Sequence, residues 1–406
     1  MNIKSMMMAL IICIMLTSIA MAATIEITDS RATPEYWISR NHNGDNILLT
    51  PQQIAQLNAN ILAKDEYAAD LANYPAVVSA AKVNALIKEA EYDQYTGAHN
   101  VSSDVNVRYA VTVQRGDIRL MPKGWDGDIY DDLQGTAIDP AEAVAVLRDS
   151  PDGKFVFVQS RYYMGWLDKS KIAFTDRNTW LTYINPRDFL VVTANKKFID
   201  VNGLSVLFQM GAVIPIVNPD SHDDIWVMRL PTSVNGKLQE VNIPIAMYDN
   251  EINKGFLTCT TNNFIRQSFK FLGDVYGWGG LEDSVDCSAF TQDIYRSMGI
   301  NIPRDADRQE ACMPIWAVFN NVTNAERWDI VSRAPVGSLL FKPGHVMMKL
   351  GQDDSGAPLV IHSASSYYSD GNKIYIRKVI VSDLHYKNAS GIETIDGLTG
   401  IGFYGN

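Results

Sequence analysis

Near residue 105 the hydrophobic pattern changes period, and no single packing layer can serve both halves of it. Upstream, Ile54, Leu57, Ile61 and Leu62 recur at helical spacing. They follow Thr50-Pro51-Gln52-Gln53, which offers an N-cap and a proline at the first helical position. A second amphipathic stretch carries Val77, Val78, Ala81, Leu86 and Ile87. From Val105 the spacing is two: Val105, Val107, Tyr109, Val111 and Val113 alternate with polar partners, as in a half-buried strand. Short strands are expected at 143–147, 155–159 and 164–167, divided by turns such as Ser150-Pro151-Asp152-Gly153. That pattern predicts a small barrel. A second set is expected at 189–192, 206–208, 213–217, 225–230 and 241–245, with Asn235-Gly236 as a hairpin turn. From Asn253 helical spacing returns, followed by an α+β segment to the end.

A chain of 406 residues is long enough for roughly two to four domains. Hydrophobic residues make up 47% and charged residues 20%, which is ordinary globular composition. The net charge of −11 repels phosphate and argues against nucleic acid as a ligand. The first residues read as an export leader. Lys4 precedes an apolar run over 6–16, and Ala20-Met21-Ala22 gives a small-x-small cleavage pattern. The expectation is an exported protein, periplasmic or secreted, with no stable membrane anchor after cleavage. Of the four cysteines, Cys13 lies in that leader. Cys259, Cys287 and Cys312 remain, so at least one thiol is unpaired within the chain. Whether Cys259 and Cys312 pair is open at this stage.

The chemistry concentrates after residue 275. Tyr276-Gly277-Trp278-Gly279-Gly280 leads to Asp286-Cys287-Ser288-Ala289-Phe290, and helical spacing begins there. Asp286 is an N-cap and Cys287 opens the helix, where unpaired N–H groups and the dipole favour a thiolate. The glycines allow backbone to pass close to a substrate. A nucleophilic cysteine needs a base. His345 opens a strand-like run over 346–350, and His362 closes another at 359–361. A hairpin through the polar turn at 352–356 would bring both to one site, one as base and one orienting it. His385 lacks such a setting and is expected at the surface. No metal or other cofactor is expected: the cysteines lack the pair spacing of a zinc site, and no His-x-x-x-His pair occurs.

Those strings, with Pro303-Arg304, Gln309, Gly337-Ser338-Leu339-Leu340-Phe341, Gly344-His345-Val346 and Ile361-His362-Ser363, resemble the NlpC/P60 cysteine peptidases. The resemblance implies an α+β chain with a papain-like catalytic domain at 249–406. It would follow two SH3-like (SH3b) barrels at 99–176 and 177–248, a helical clip at 23–98 and a signal peptide at 1–22. Ala289 and Ser338 stand where the family usually has Gly and Asp. The implied substrates are peptidoglycan stem peptides or muropeptides, cut at the γ-D-glutamyl–diamino acid bond. Cys287 would be nucleophile, His345 base and His362 the orienting group. Tyr276 would hold the substrate or oxyanion. Asp286 and Ser288 would bind a free N-terminal L-Ala amine, and Tyr163 would wall the pocket. The rival readings are another papain-like wall amidase or acyl transferase, and an inactive wall-binding protein.

Overall fold

The computed structural model describes residues 26–220, 223–369 and 371–405. The expected leader at 1–22 therefore lies outside the described residues. Among the described residues, no helix is long and apolar enough to cross a membrane.

The N-terminal segment is held by its caps. Helix Pro51–Leu62 begins with Thr50 and Gln53 in a reciprocal capping box and a proline in its first turn. Helix Ala80–Glu91 starts at Ser79, later than the hydrophobic spacing suggested. Val77 and Val78 are instead a short strand paired with Val105–Asn106. The segment clips two cores together. Trp37 and Ile61 pack with the C-terminal core. Leu71, Val83, Leu86 and Ile87 pack with the barrel core around Phe157 and Trp166.

The alternating run from Val105 is split into Val105–Asn106 and Arg108–Thr112. The later expected strands of the first barrel appear as Ala143–Asp149, Phe155–Gln159 and Met164–Asp168, joined antiparallel in sequence. Strands Gly116–Arg119, Gln134–Ile138 and Ile172–Thr175 lacked a clean alternation and were not expected. The second set is spread over several sheets. Phe189–Val192 pairs with Val213–Pro215 and with Ile252–Lys254, so the chain returns to this region after residue 248. Lys196–Val201 and Leu204–Gln209 form a separate hairpin. The long hairpin of Ile225–Val234 and Lys237–Ala246 turns at Asn235 and Gly236, φ +51° and +76°, as Asn-Gly predicts. It joins the first barrel's sheet through Lys237 and Phe174.

The C-terminal part is a six-stranded sheet. Its order is Ile315–Val318, Gly400–Gly402, Leu339–Lys342, His345–Gln352, Pro358–Ser369, Asn372–Ser382. Helices Thr261–Phe269 and Cys287–Ser297 pack on it, with Phe264, Phe290, Ile294 and Tyr295 buried against Leu339, Val346 and Ile361.

Helix Cys287–Ser297 also docks on the first barrel. Arg296, nearly buried, bonds Asp139 at 3.1 Å, Glu142 at 3.2 Å and Asp293 at 3.2 Å. The glycines before the helix serve the same contact. Gly279 and Gly280 have φ of +58° and +89°. A Cβ on Gly280 would lie 2.6 Å from that of Ala137, and one on Gly279 2.5 Å from Gln134 Cγ. Their backbone passes close to the barrel, where the sequence suggested close passage to substrate. Removing the Arg296 guanidinium leaves the buried Asp293 carboxylate without its partner, while Asp139 keeps Arg115 and the Gln209 N–H. Arg296→Ala is expected to cost about 3–5 kcal/mol. A lowered urea midpoint, followed by tryptophan fluorescence, checks this; an unchanged midpoint would show the clamp to be dispensable.

Candidate active site

Asp286 caps helix Cys287–Ser297, accepting from the Ala289 N–H at 2.8 Å. Cys287 is its first residue and is 7% exposed. Cys259, Cys287 and Cys312 are all free thiols, which answers the pairing question. The expected hairpin is present, with Met348 opposite Ile361. It brings His345 Nε2 to 2.7 Å from His362 Nδ1. His362 Nε2 lies 3.0 Å from Ser382 Oγ, and that hydroxyl donates to the Asp383 carbonyl at 3.0 Å.

One assignment of protons on the neutral rings satisfies all of these contacts. The Ser382 proton is committed to a carbonyl, so its oxygen accepts from His362 Nε2–H. His362 Nδ1 is then unprotonated and accepts from His345 Nε2–H. The lone pair of His345 Nδ1 is left free. The Val346 N–H, next to His345, points at the Cys287 sulfur.

The electrostatics run against the thiolate expected at a helix start. Burial first, then the Asp286 charge, pushes the Cys287 thiol up to about 12, although the Val346 N–H, the Arg304 guanidinium and the Ser288 N–H oppose them. Burial, helped by His362 and Lys342, holds His345 well below the usual histidine range. Burial and Lys342 put His362 at about 3. Burial thus disfavours charge on the thiol and on both imidazoles.

Tyr276, Trp278, Lys342, His345 and His362 line a cavity of about 220 Å³. Tyr276 is buried there, and desolvation drives its hydroxyl above the usual range. The barrel approaches the rim of this cavity through Tyr130, whose hydroxyl is 3.0 Å from Ser365 Oγ. Its ring lies 6.3 Å from Tyr276 and 6.2 Å from Trp278. Tyr163, expected to wall the pocket, is elsewhere. It is 7% exposed, packs edge-on against Tyr67 at 5.2 Å, and borders a small void with Thr136 and Arg304. Tyr130 sits in the turn-rich stretch before strand Gln134–Ile138, where no periodicity marks it.

Asp286 and Ser288 are also differently employed. Arg304 grips Asp286 with two bonds, 3.1 and 2.7 Å, and donates to Ser288 Oγ at 2.9 Å. The Gly279 and Ala289 N–H groups and the Ser288 hydroxyl take the remaining lone pairs of the carboxylate. No acceptor is left on Asp286 for an ammonium. His385 is exposed, 3.0 Å from Glu393 and tilted against the Trp328 ring at 4.7 Å, as expected of a surface residue.

A thiol at a helix start, beside a hairpin that pairs His345 with His362, is an arrangement that can support thiol hydrolysis on a papain-like fold. Residues 273–381 match the NlpC/P60 family, and residues 123–168 match the SH3 domain of the SH3b1 type. The chain therefore carries an NlpC/P60 cysteine-peptidase domain behind an SH3b domain. It is 25% identical over 212 residues to Dipeptidyl-peptidase 6 of Lysinibacillus sphaericus, spanning 50% of this chain and 71% of that protein. The fold is similar to an NlpC/P60 endopeptidase from Photobacterium damselae subsp. piscicida, with TM-score 0.73 and 14% identity over 94% of this chain and 98% of that one. It is also similar to an NlpC/P60 family protein from Bacillus cereus, with TM-score 0.52 and 19% identity over 73% and 100%.

Two measurements check this description. With the thiol raised, the thiolate fraction grows with pH, so iodoacetamide labelling of Cys287 in the unliganded protein should climb about tenfold per unit between pH 7 and 10. A flat profile would indicate a preformed thiolate–imidazolium pair. Ser382→Ala should lower kcat on a susceptible peptide by about tenfold with KM little changed, the worth of one orienting hydrogen bond.

Proposed function

We propose that this chain is a peptidoglycan stem-peptide hydrolase that cleaves the γ-D-glutamyl–diamino acid bond through a thiol mechanism. The observation that carries it is the Ser382–His362–His345 chain, which leaves His345 Nδ1 as an acceptor while the neighbouring Val346 N–H meets the Cys287 sulfur. In this reading Cys287 gives its proton to His345 as the sulfur attacks the carbonyl carbon. His362 accepts the His345 Nε2–H and steadies the imidazolium that forms. The proton passes to the leaving amine as the amide breaks, and water then releases the acyl group from sulfur. The uncapped N–H groups at the start of the helix, with Tyr276, face the developing oxyanion. Starting from a neutral pair means that charge appears only during attack.

The bond assignment follows the family resemblance. The preference for released fragments now rests on the approach of Tyr130 to the cleft at Ser365 rather than on Asp286, whose carboxylate Arg304 already satisfies. Export to the wall compartment is part of the same proposal. So is the division into a clip, two barrels and a peptidase, with the second barrel extended to take in Ile252–Lys254.

The test is hydrolysis of L-Ala-γ-D-Glu-diaminopimelate, with products read by mass spectrometry. Cys287→Ala should abolish cleavage while the protein remains folded, and His345→Ala should lose about as much, since groups acting as a unit share one large effect. His362→Ala should lose less. Full activity in Cys287→Ala would sink the nucleophile assignment; a dead His362→Ala beside a near-normal His345→Ala would exchange the two histidine roles. Release of sugar-linked or acyl-transfer products instead would favour the amidase or transferase reading.

A further inference from the structure

Lys342 is the cation of the cleft that the mechanism above leaves unused. It ends strand Leu339–Lys342 and pairs in register with His345 across the turn Pro343-Gly344. Cross-strand partners place their side chains on the same face, so the ammonium stands beside the imidazole. It lines the same cavity as Tyr276, Trp278 and His362. Its Nζ reaches Thr394 Oγ1 at 3.2 Å and lies 4.7 Å from the centre of the Tyr386 ring. The hydroxyl occupies one of three N–H donors. Among the described residues no carboxylate pairs with it; the group that favours its charge is the ionised form of Cys287.

A sheltered cation without a counterion is costly, and burial pulls Lys342 down to about 8. The same charge helps to hold His345 and His362 low. The other polar lining groups are neutral: three tyrosines, a tryptophan, serines and the paired histidines. The cavity thus presents one positive point on a neutral wall, a residue's breadth from the proposed base. An anion on the substrate is the missing partner.

We propose that Lys342 binds a carboxylate on a substrate residue flanking the scissile amide, and so selects peptides that keep this group over amidated or carboxylate-free ones. This rests on the functional reading above and deepens it. Two carboxylates in that substrate class qualify. One is the α-carboxylate of the γ-linked D-glutamate, lost in D-isoglutamine peptides. The other is the side-chain carboxylate of diaminopimelate, absent from lysine peptides. Docking of either neutralises the ammonium next to His345. The imidazolium needed during attack then forms against less opposing charge, so substrate recognition and proton transfer are coupled.

The experiment compares kcat/KM on L-Ala-γ-D-Glu-diaminopimelate, its D-isoglutamine counterpart and its L-lysine counterpart, for the full chain, Lys342→Met and Lys342→Arg. The unaltered protein should lose about 10- to 100-fold on one of the two modified peptides, as a charged hydrogen bond is removed. That peptide identifies the carboxylate. Lys342→Met should lose a similar factor on the diaminopimelate substrate, bringing the two rates together, and Lys342→Arg should restore most of the preference. An equal loss by Lys342→Met on all three peptides would overturn the assignment and leave Lys342 only a general electrostatic influence on the thiol. Equal rates on all three by the unaltered protein would overturn it as well. No cleavage of any of them by the unaltered protein would instead reject the functional reading, and this proposal with it.

Discussion

The site depends on one buried guanidinium. Arg304, 4% exposed, donates to both oxygens of Asp286, to Ser288 Oγ and, through Nε at 2.7 Å, to Thr136 of the first barrel. Burial alone would raise the Asp286 pKa, but the Arg304 charge and bonds, with the Ala289 and Gly279 N–H groups, hold it below the usual carboxylate range. The planar fork suits this work, because it satisfies a carboxylate and still reaches a hydroxyl on each side. The cap of the cysteine helix, the position of the thiol and the docking of the barrel are therefore one hydrogen-bonded unit. Losing any member strands a buried charge or donor.

That unit explains an apparent conflict. A helix N-terminus favours an anion, yet here the thiol is pushed upward. Asp286 spends the end of the helix on its own negative charge, and the closed cleft excludes the water that would solvate a thiolate. Charge is disfavoured on Cys287, His345 and His362 alike. The arrangement stores readiness as hydrogen-bond order rather than as separated charge: each ring nitrogen already has its proton or lone pair in place.

Much of this was legible in the residues. Thr50-Pro51, Asn235-Gly236 and Asp286-Cys287 are local signals, and local signals locate caps and turns because their energetics involve only a few neighbouring residues. The His345–His362 juxtaposition was legible because a hairpin fixes register. What was missed is non-local. Nothing in the spacing of Arg304 or Tyr130 tells which partner they meet across the domain boundary, so Asp286 looked free and Tyr163 looked like a wall. Gly279 and Gly280 showed a need for close approach, but a glycine does not name what approaches it. Strand Gln134–Ile138 escaped notice because its burial alternates but its hydrophobicity does not: Gln134 and Thr136 occupy buried positions beside Ile138.

The contact between Tyr130 and Ser365 has a consequence for how the molecule comes into being. Thiol and imidazoles are assembled by one stretch of chain, whereas the roof over them arrives on another. Independent units tend to fold first and dock afterwards. In this chain the hairpin can pair His345 with His362 before the barrel docks, whereas the Arg304–Thr136 bond behind the cysteine helix and the Tyr130–Ser365 contact over the cleft form only on docking. A nascent peptidase part with its hairpin closed and its barrel still undocked has its imidazoles paired around an unbounded aperture. Only the last rigid-body step gives that aperture a size.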